Sequence, residues 1–311
     1  MTRHTFHVRP AAGHIGAEIV GLDLSKPLST QQWEALRQAF HDHQVLFFHD
    51  QHLTRDQHIA LGRRFGKLHI HPMTPGPEGY PEIFPIHADA GSSDDVRKIR
   101  QGLSRAINGN HWHSDVSCDE EPPLGSLLYL REVPPVGGDT LFASGYAAFE
   151  ALSPAMQRFL SGLRARHSGE ENYKLRYAGR KAQDRSAFGF QNGKEYPEAI
   201  HPVVRTHPDT GRQALFVNPG FTAEIVDLAP EESRALLDFL YRHQTSPEFT
   251  FRLRWRPNTL ALWDNRCVLH RAIYDYAGQT RSGERVTIQG DQPYFIQPAQ
   301  SQWISEAIVA G

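Results

Sequence analysis

Residues 249–272 read FTFRLRWRPNTLALWDNRCVLHRA. Phe249, Phe251, Leu253 and Trp255 alternate with Thr250, Arg252 and Arg254, a period of two that predicts a strand with one buried face. Leu260–Trp263 is a second, short apolar strand that delivers the chain to a turn, and His270 follows. Strand signals of this kind recur along the chain. Gly16–Leu24 alternates, Val45–Phe48 is a short buried run, and Val286–Ile288 is another. His201–Thr206 and Gln213–Asn218 flank Asp209-Thr210-Gly211, the signature of a hairpin. No dinucleotide or P-loop glycine pattern interrupts them. Strands spread over the whole length favour an antiparallel barrel or sandwich with helices packed outside, in one domain spanning residues 1–311.

The helices are announced by their caps. Ser29 with Gln32 forms a capping box for a helix to Gln44, with Trp33, Leu36 and Phe40 on one face. Thr54 with Gln57 repeats the box for a helix that ends at Gly66. Ser153-Pro154 is an N-cap followed by a first-turn proline, and residues 230–243 form another amphipathic helix. Two long polar stretches, about 73–110 and 168–199, read as lids or binding loops.

Composition narrows the function. Lys plus Arg is 33 and Asp plus Glu 35, a net charge of −2, which argues against a nucleic-acid partner. No run approaches the ~18 apolar residues of a membrane span, and the N-terminus has no signal-peptide core, so a cytoplasmic globular protein is expected. Two cysteines cannot staple 311 residues, which excludes a disulfide scaffold. The 18 histidines direct attention to metal sites.

The strongest local feature is Asn110-His111-Trp112-His113-Ser114-Asp115. On a strand, residues i and i+2 share a face, so His113 and Asp115 can present an imidazole and a carboxylate to one ion. His111 has the same parity, and this reading leaves both histidines open. Joined by the distant His270, the set would be the two-His, one-carboxylate triad suited to non-haem Fe(II), with three positions free. Arg281 and Arg285, near a buried strand, need anionic partners, and guanidinium forks match carboxylates and sulfonates. Gly137-Gly138-Asp139-Thr140 is a turn leading into a strand, with a hydroxyl placed to touch a ligand.

In order from about Ala17 to about Gly290, IGAEIVGLDLSKPLS, HQVLFF, RRFGKLHIHP, NHWHSDVS, PPVGGDTLFAS, HPVVRTHPDTGRQALFVNPGF, LWDNRCVLHRA and RVTIQGD resemble the taurine dioxygenase family. These are Fe(II)/2-oxoglutarate-dependent oxygenases that include alkyl-sulfate and aryloxyalkanoate dioxygenases. The resemblance implies a mainly β protein with flanking helices around a double-stranded β-helix (jelly-roll, cupin-like) core. It implies His113, Asp115 and His270 as iron ligands and His111 as a non-ligand. Thr140 and Arg281 would bind 2-oxoglutarate, and His71, Arg285 and Phe221 would bind substrate. O2 would be the second co-substrate. Oxidative decarboxylation to succinate would drive hydroxylation of a small anionic molecule, followed by C–S or C–O cleavage. A homo-oligomer, dimer or tetramer, is the family pattern.

Thr74 stands where taurine dioxygenase has a tyrosine, and Gly109 where it has an asparagine near the amine. The anionic anchor is kept without the amine contacts, so the expected substrate is a sulfonate, sulfate ester or aryloxyalkanoate other than taurine. The alternatives are a biosynthetic hydroxylase or desaturase of another carboxylate, a Zn or Mn jelly-roll enzyme, and an anion-binding protein without catalysis.

Overall fold

The computed structural model describes residues 6–71, 75–88, 110–171, 173, 196–276 and 278–297. The chain opens with β1 (His7–Pro10) and β2 (Ala17–Val20), then α1 (Thr30–His43), β3 (Val45–Phe48) and α2 (Arg55–Arg63). Next come β4 (Ile83–Ala88), β5 (Gly125–Glu132) and β6 (Thr140–Ser144). Short helices α3 (Gly145–Glu150) and α4 (Pro154–Leu160) precede β7 (Arg164–Ser168), β8 (Glu198–Pro202), β9 (Val204–Thr206), β10 (Gln213–Leu215) and β11 (Thr222–Ile225). After α5 (Pro230–Gln244) the chain finishes with β12 (Thr250–Leu253), β13 (Thr259–Asp264), β14 (Val268–Ala272) and β15 (Arg281–Ile288).

The segment 249–272 decides the fold because it changes sheet twice. β12 and β14 flank β6 in a small sheet, while β13 between them lies inside a seven-stranded sheet of order β1-β2-β3-β13-β5-β15-β4. Such exchange between two sheets, antiparallel here except for the parallel β2–β3 pair, makes the jelly roll. β13 pairs antiparallel with both β3 and β5, Leu260 lying opposite Phe48 and Tyr129. Its apolar run is covered on both faces. Leu260 and Leu262 join Leu46, Phe48, Leu127 and Tyr129 under α1 and α2. Ala261 and Trp263 join Val45, Phe47, Leu128, Leu130 and Phe142 between the sheets. Alternation thus sorts one strand between two cores, and each large side chain taken from water contributes about 1.5–3 kcal/mol.

Both capping boxes form: Ser29 with Gln32, and Thr54 with Gln57. Gln44 adopts φ +64° to end α1. Three expectations need correction. Ile83–Ala88, inside the stretch read as a lid, is an edge strand paired with β15. The strand read over His201–Thr206 is two, β8 pairing with β7 and β9 with β10. The strand read from Phe249 begins at Thr250, because Pro247–Phe249 is a 3-10 turn. Most of the two lid-like stretches, including residues 89–109 and 174–195, lies outside the described residues.

Three buried histidines away from the metal site tie stability to pH. His58 and His201 are pushed down to about 4 by burial, which outweighs the hydrogen bonds of their rings to the Leu127 and Asp119 carbonyls. Burial also holds His167 well below its usual range, beside the Ser117 hydroxyl. A histidine with a depressed folded pKa contributes stability above its unfolded value near 6.5 and loses it as pH falls. Asp119, pushed up to about 6 by burial, acts oppositely. Between pH 7 and 5, His58 and His201 cost about 2 kcal/mol each and Asp119 returns about 1 kcal/mol, a net loss of about 2–3 kcal/mol to which His167 adds. Thermal unfolding at the two pH values should show a lower Tm at pH 5. An unchanged Tm would mean that these rings are not buried neutral.

Candidate metal centre and active site

His270 lies on β14, and His113 faces it across a single bridge on the strand's outer edge. The His113 N–H donates to the His270 carbonyl at 3.1 Å, and the His270 N–H to the His113 carbonyl at 2.8 Å. The rest of Asn110–Asp115 is not a strand, contrary to the pleat argument. The chain turns after His113, with Val116 at φ +46°, and this turn brings Asp115 back to the histidines. Gly220 permits the packing behind His113, since a Cβ there would lie 2.7 Å from the His113 Cβ.

The three side chains converge. The Nε2 atoms of His113 and His270 each lie 3.8 Å from Asp115 Oδ1. His113 Nδ1 donates to the His111 carbonyl at 2.8 Å, which fixes the tautomer that leaves Nε2 as an acceptor. In this arrangement the His113 ring is turned to Asp115 and His270, and His111 presents its carbonyl to that ring. His270 Nδ1 is buried without a partner among the described residues, and ligation through Nε2 would fix its tautomer.

Burial pushes both rings towards neutrality, His270 down to about 3. Burial also opposes the Asp115 charge, but Arg285, the two imidazoles and the Ser126 hydroxyl outweigh it and hold the carboxyl below its usual range. Asp115 Oδ2 is occupied by Ser126 Oγ at 2.9 Å and Asn265 Nδ2 at 3.5 Å. Oδ1 is the oxygen turned to the histidines. Two neutral imidazoles and one carboxylate on one side of an ion fit a divalent metal with open positions.

A second cationic place lies at the start of β6, where Thr140 sits opposite Ala272, two residues from His270. Gly137 and Gly138 turn the chain at φ +85° and +71°, and the Gly138 carbonyl accepts from Arg281 Nε at 3.1 Å. Arg281 Nη2 reaches Thr140 Oγ1 at 3.5 Å, and Trp255 Nε1 donates to the same oxygen at 3.0 Å. Arg281 is 7% exposed and has no carboxylate within ion-pair distance among the described residues. Burial lowers its pKa without bringing it near neutrality in ordinary conditions.

Four residues along β15, Arg285 lies over the Phe84 ring, 4.9 Å from its centroid, and the His71 ring is 4.9 Å from the same phenyl. Arg285 Nη1 donates to Asp115 Oδ1 at 3.0 Å, while its Nε is buried without a partner among the described residues. The Phe221 ring lies 6.4 Å from His113. Six of the eight residues singled out from sequence, His71, His113, Asp115, Phe221, His270 and Arg285, are linked by these contacts, and Thr140 and Arg281 form a second pair. Thr74 and Gly109 lie outside the described residues.

The taurine catabolism dioxygenase TauD, TfdA family matches residues 7–287. The chain belongs to the TauD/TfdA family. An alpha-ketoglutarate-dependent sulfonate dioxygenase of Saccharomyces cerevisiae is 32% identical to it, over 92% of this chain and 67% of the yeast protein. An alpha-ketoglutarate-dependent sulfate ester dioxygenase of Pseudomonas putida is 33% identical, over 93% and 91%. The crystal structure of a taurine dioxygenase from Burkholderia xenovorans superposes with a TM-score of 0.76 at 34% identity, over 93% of both chains. This TauD/TfdA chain is accordingly an oxidoreductase using 2-oxoglutarate and O2 as co-substrates around a metal. No helix among the described residues is long and apolar enough to cross a membrane.

Several working residues of this TauD/TfdA site escaped the sequence reading. Asn265 is the hinge of the metal loop. Its Nδ2 touches Asp115, its Oδ1 accepts from Trp263 Nε1 at 2.9 Å, and its carbonyl accepts from Ser114 Oγ at 2.7 Å. Ser126 and Trp255 were unmarked as well. Only Asn265 had a signal, its place in the turn before His270. Two other groupings could hold a metal by distance, His41/His207/Asp209 and His207/Asp264/Cys267. In both, His207 is already used. Its Nδ1 accepts the Asp209 and Thr210 amides and its Nε2 pairs with Asp264, itself bound twice by Arg266. These side chains brace the β13–β14 turn.

Proposed function

We propose that this chain is an Fe(II)/2-oxoglutarate dioxygenase that hydroxylates a small anionic organic substrate, a sulfonate, sulfate ester or aryloxyalkanoate. Hydroxylation beside sulfur or an ether oxygen yields an adduct that collapses to a carbonyl compound and sulfite, sulfate or a phenol. The observation that carries the reading is Arg281, a buried cation without a carboxylate in ion-pair contact among the described residues, set against Thr140, which lies opposite Ala272, two residues from His270. Such a charge is costly until an anion meets it, and the far carboxylate of 2-oxoglutarate is that anion. His113, Asp115 and His270 would hold the iron. O2 would be the oxidant there, activated at the bound iron: one of its oxygen atoms would go to 2-oxoglutarate, which leaves as succinate and carbon dioxide, and the other to the substrate.

The protein's own residues hold and orient. Arg285 and His71 meet at Phe84 and form the anion anchor, with Phe221 as the opposite apolar wall beside His113. Arg285 spends one nitrogen on Asp115 and keeps a buried Nε for the substrate. On this reading the enzyme is cytoplasmic and assembles as a dimer or tetramer.

The experiment is a leaving-group assay over a panel of sulfonates, sulfate esters and aryloxyalkanoates, taurine included, with the wild type and Arg285→Ala. One class should release its sulfite, sulfate or phenol. Arg285→Ala should raise that substrate's KM about 10–100-fold, the worth of charged hydrogen bonds, with the 2-oxoglutarate KM nearly unchanged. The opposite split would exchange the roles of Arg285 and Arg281. A substrate outside all three classes would remove the anion anchor.

A further inference from the structure

We infer that Trp255 sets the polarity of the 2-oxoglutarate pocket: its indole N–H makes the Thr140 hydroxyl an obligate donor, so that the pocket accepts a carboxylate and rejects a group that carries hydrogens. This rests on the reading of Thr140 and Arg281 as the 2-oxoglutarate site.

Trp255 follows the end of β12 and is buried. An indole nitrogen can only donate, and here it donates to Thr140 Oγ1 at 3.0 Å. Arg281 Nη2 approaches the same oxygen at 3.5 Å, and a guanidinium also can only donate. The hydroxyl's two lone pairs are thereby both addressed. Its one proton has no acceptor among the described residues, and Thr140 is 4% exposed. A hydroxyl left free to rotate could serve either a donor or an acceptor. With the indole in place it serves only an acceptor. Arg281 lies 5.5 Å from the Trp255 ring, so the same side chain braces the cation by its π face. Two donors then converge on one spot, complementary to a carboxylate's acceptor-only oxygens. A carboxamide there turns its NH2 towards a donor and loses a bond. Trp255 is thus a positioning residue, acting on the co-substrate through Thr140.

The test is titration calorimetry on the full chain loaded with Mn(II), with 2-oxoglutarate and with 2-oxoglutaramate, the same skeleton ending in a carboxamide. Trp255→Phe keeps an aromatic face for Arg281 and removes the N–H. It should weaken 2-oxoglutarate about threefold to tenfold and reduce the carboxylate-over-carboxamide preference by a similar factor. In a Thr140→Val background the same change should do nothing further, since the hydroxyl it acts through is gone. An unchanged preference in Trp255→Phe, or an equal loss in both backgrounds, overturns the inference. If Trp255→Phe does not fold, Thr140→Val alone decides: it must reduce the preference, and an equal loss for both ligands overturns it. Should neither Thr140→Val nor Arg281→Gln alter 2-oxoglutarate binding, the site reading itself fails.

Discussion

Asp115→Ala is expected to abolish metal binding and turnover together. Asp115 Oδ1 is the single anionic atom facing the Nε2 atoms of His113 and His270. Without it the centre is two neutral imidazoles beside the Arg285 guanidinium, an environment that repels a divalent ion. The truncation also strands Arg285 Nη1, Ser126 Oγ and Asn265 Nδ2, which all address that carboxylate. Changes to outer-shell partners alone cost about 10–100-fold in metal affinity, so losing the ligand should cost at least about 100-fold. Metal at 100 times its Kd stabilises a folded protein by about 2.7 kcal/mol, and the rise in Tm on adding Mn(II) to wild type should vanish in the variant. A variant that keeps its metal-dependent Tm shift would place the metal elsewhere.

Arg281→Gln should separate function from stability. Arg281 is 7% exposed, lies beside Thr140, and has no carboxylate in ion-pair contact among the described residues. Replacing an unpaired buried charge with a neutral group of similar shape costs little or even stabilises the fold. The 2-oxoglutarate carboxylate, in contrast, loses its one charged partner in the pocket. A KM for 2-oxoglutarate raised about 100-fold is expected, with the Tm of the ligand-free protein unchanged or higher. The substrate KM should move little, because Arg285 and His71 remain at Phe84. A fall in Tm with an unchanged 2-oxoglutarate KM would make Arg281 a structural residue.

What was legible in the sequence follows the range of each interaction. Capping boxes are local, and Ser29 and Thr54 marked both helix starts correctly. Strands with a buried face were readable from alternation, as at Phe251 and Leu253, although the strand stops at Leu253 and Trp255 lies beyond it. β4 was not, because its residues, IFPIHA, include a proline and lie in a polar, glycine-rich stretch. The pairing of His113 with His270 spans 157 positions and rests on one bridge, which no local pattern encodes. Order and number of motifs supplied it instead, through the family resemblance. The Asp115–Arg285 bond was also invisible: two charged residues 170 positions apart carry no sign of facing each other. Residues that orient the ligands, such as Asn265, Ser126 and Trp255, are ordinary in composition and gain their roles only from geometry.

The most direct test of the central claim is succinate formation from 2-oxoglutarate by the Fe(II)-reconstituted protein with ascorbate and O2, with and without each anionic compound of the panel. The expected result is strong stimulation of succinate by one class, in step with release of its leaving group. Slow succinate formation that no compound stimulates would keep the co-substrate and remove the anionic substrate, beginning with the role of Arg285. No succinate from metal-loaded protein would contradict the account at its base.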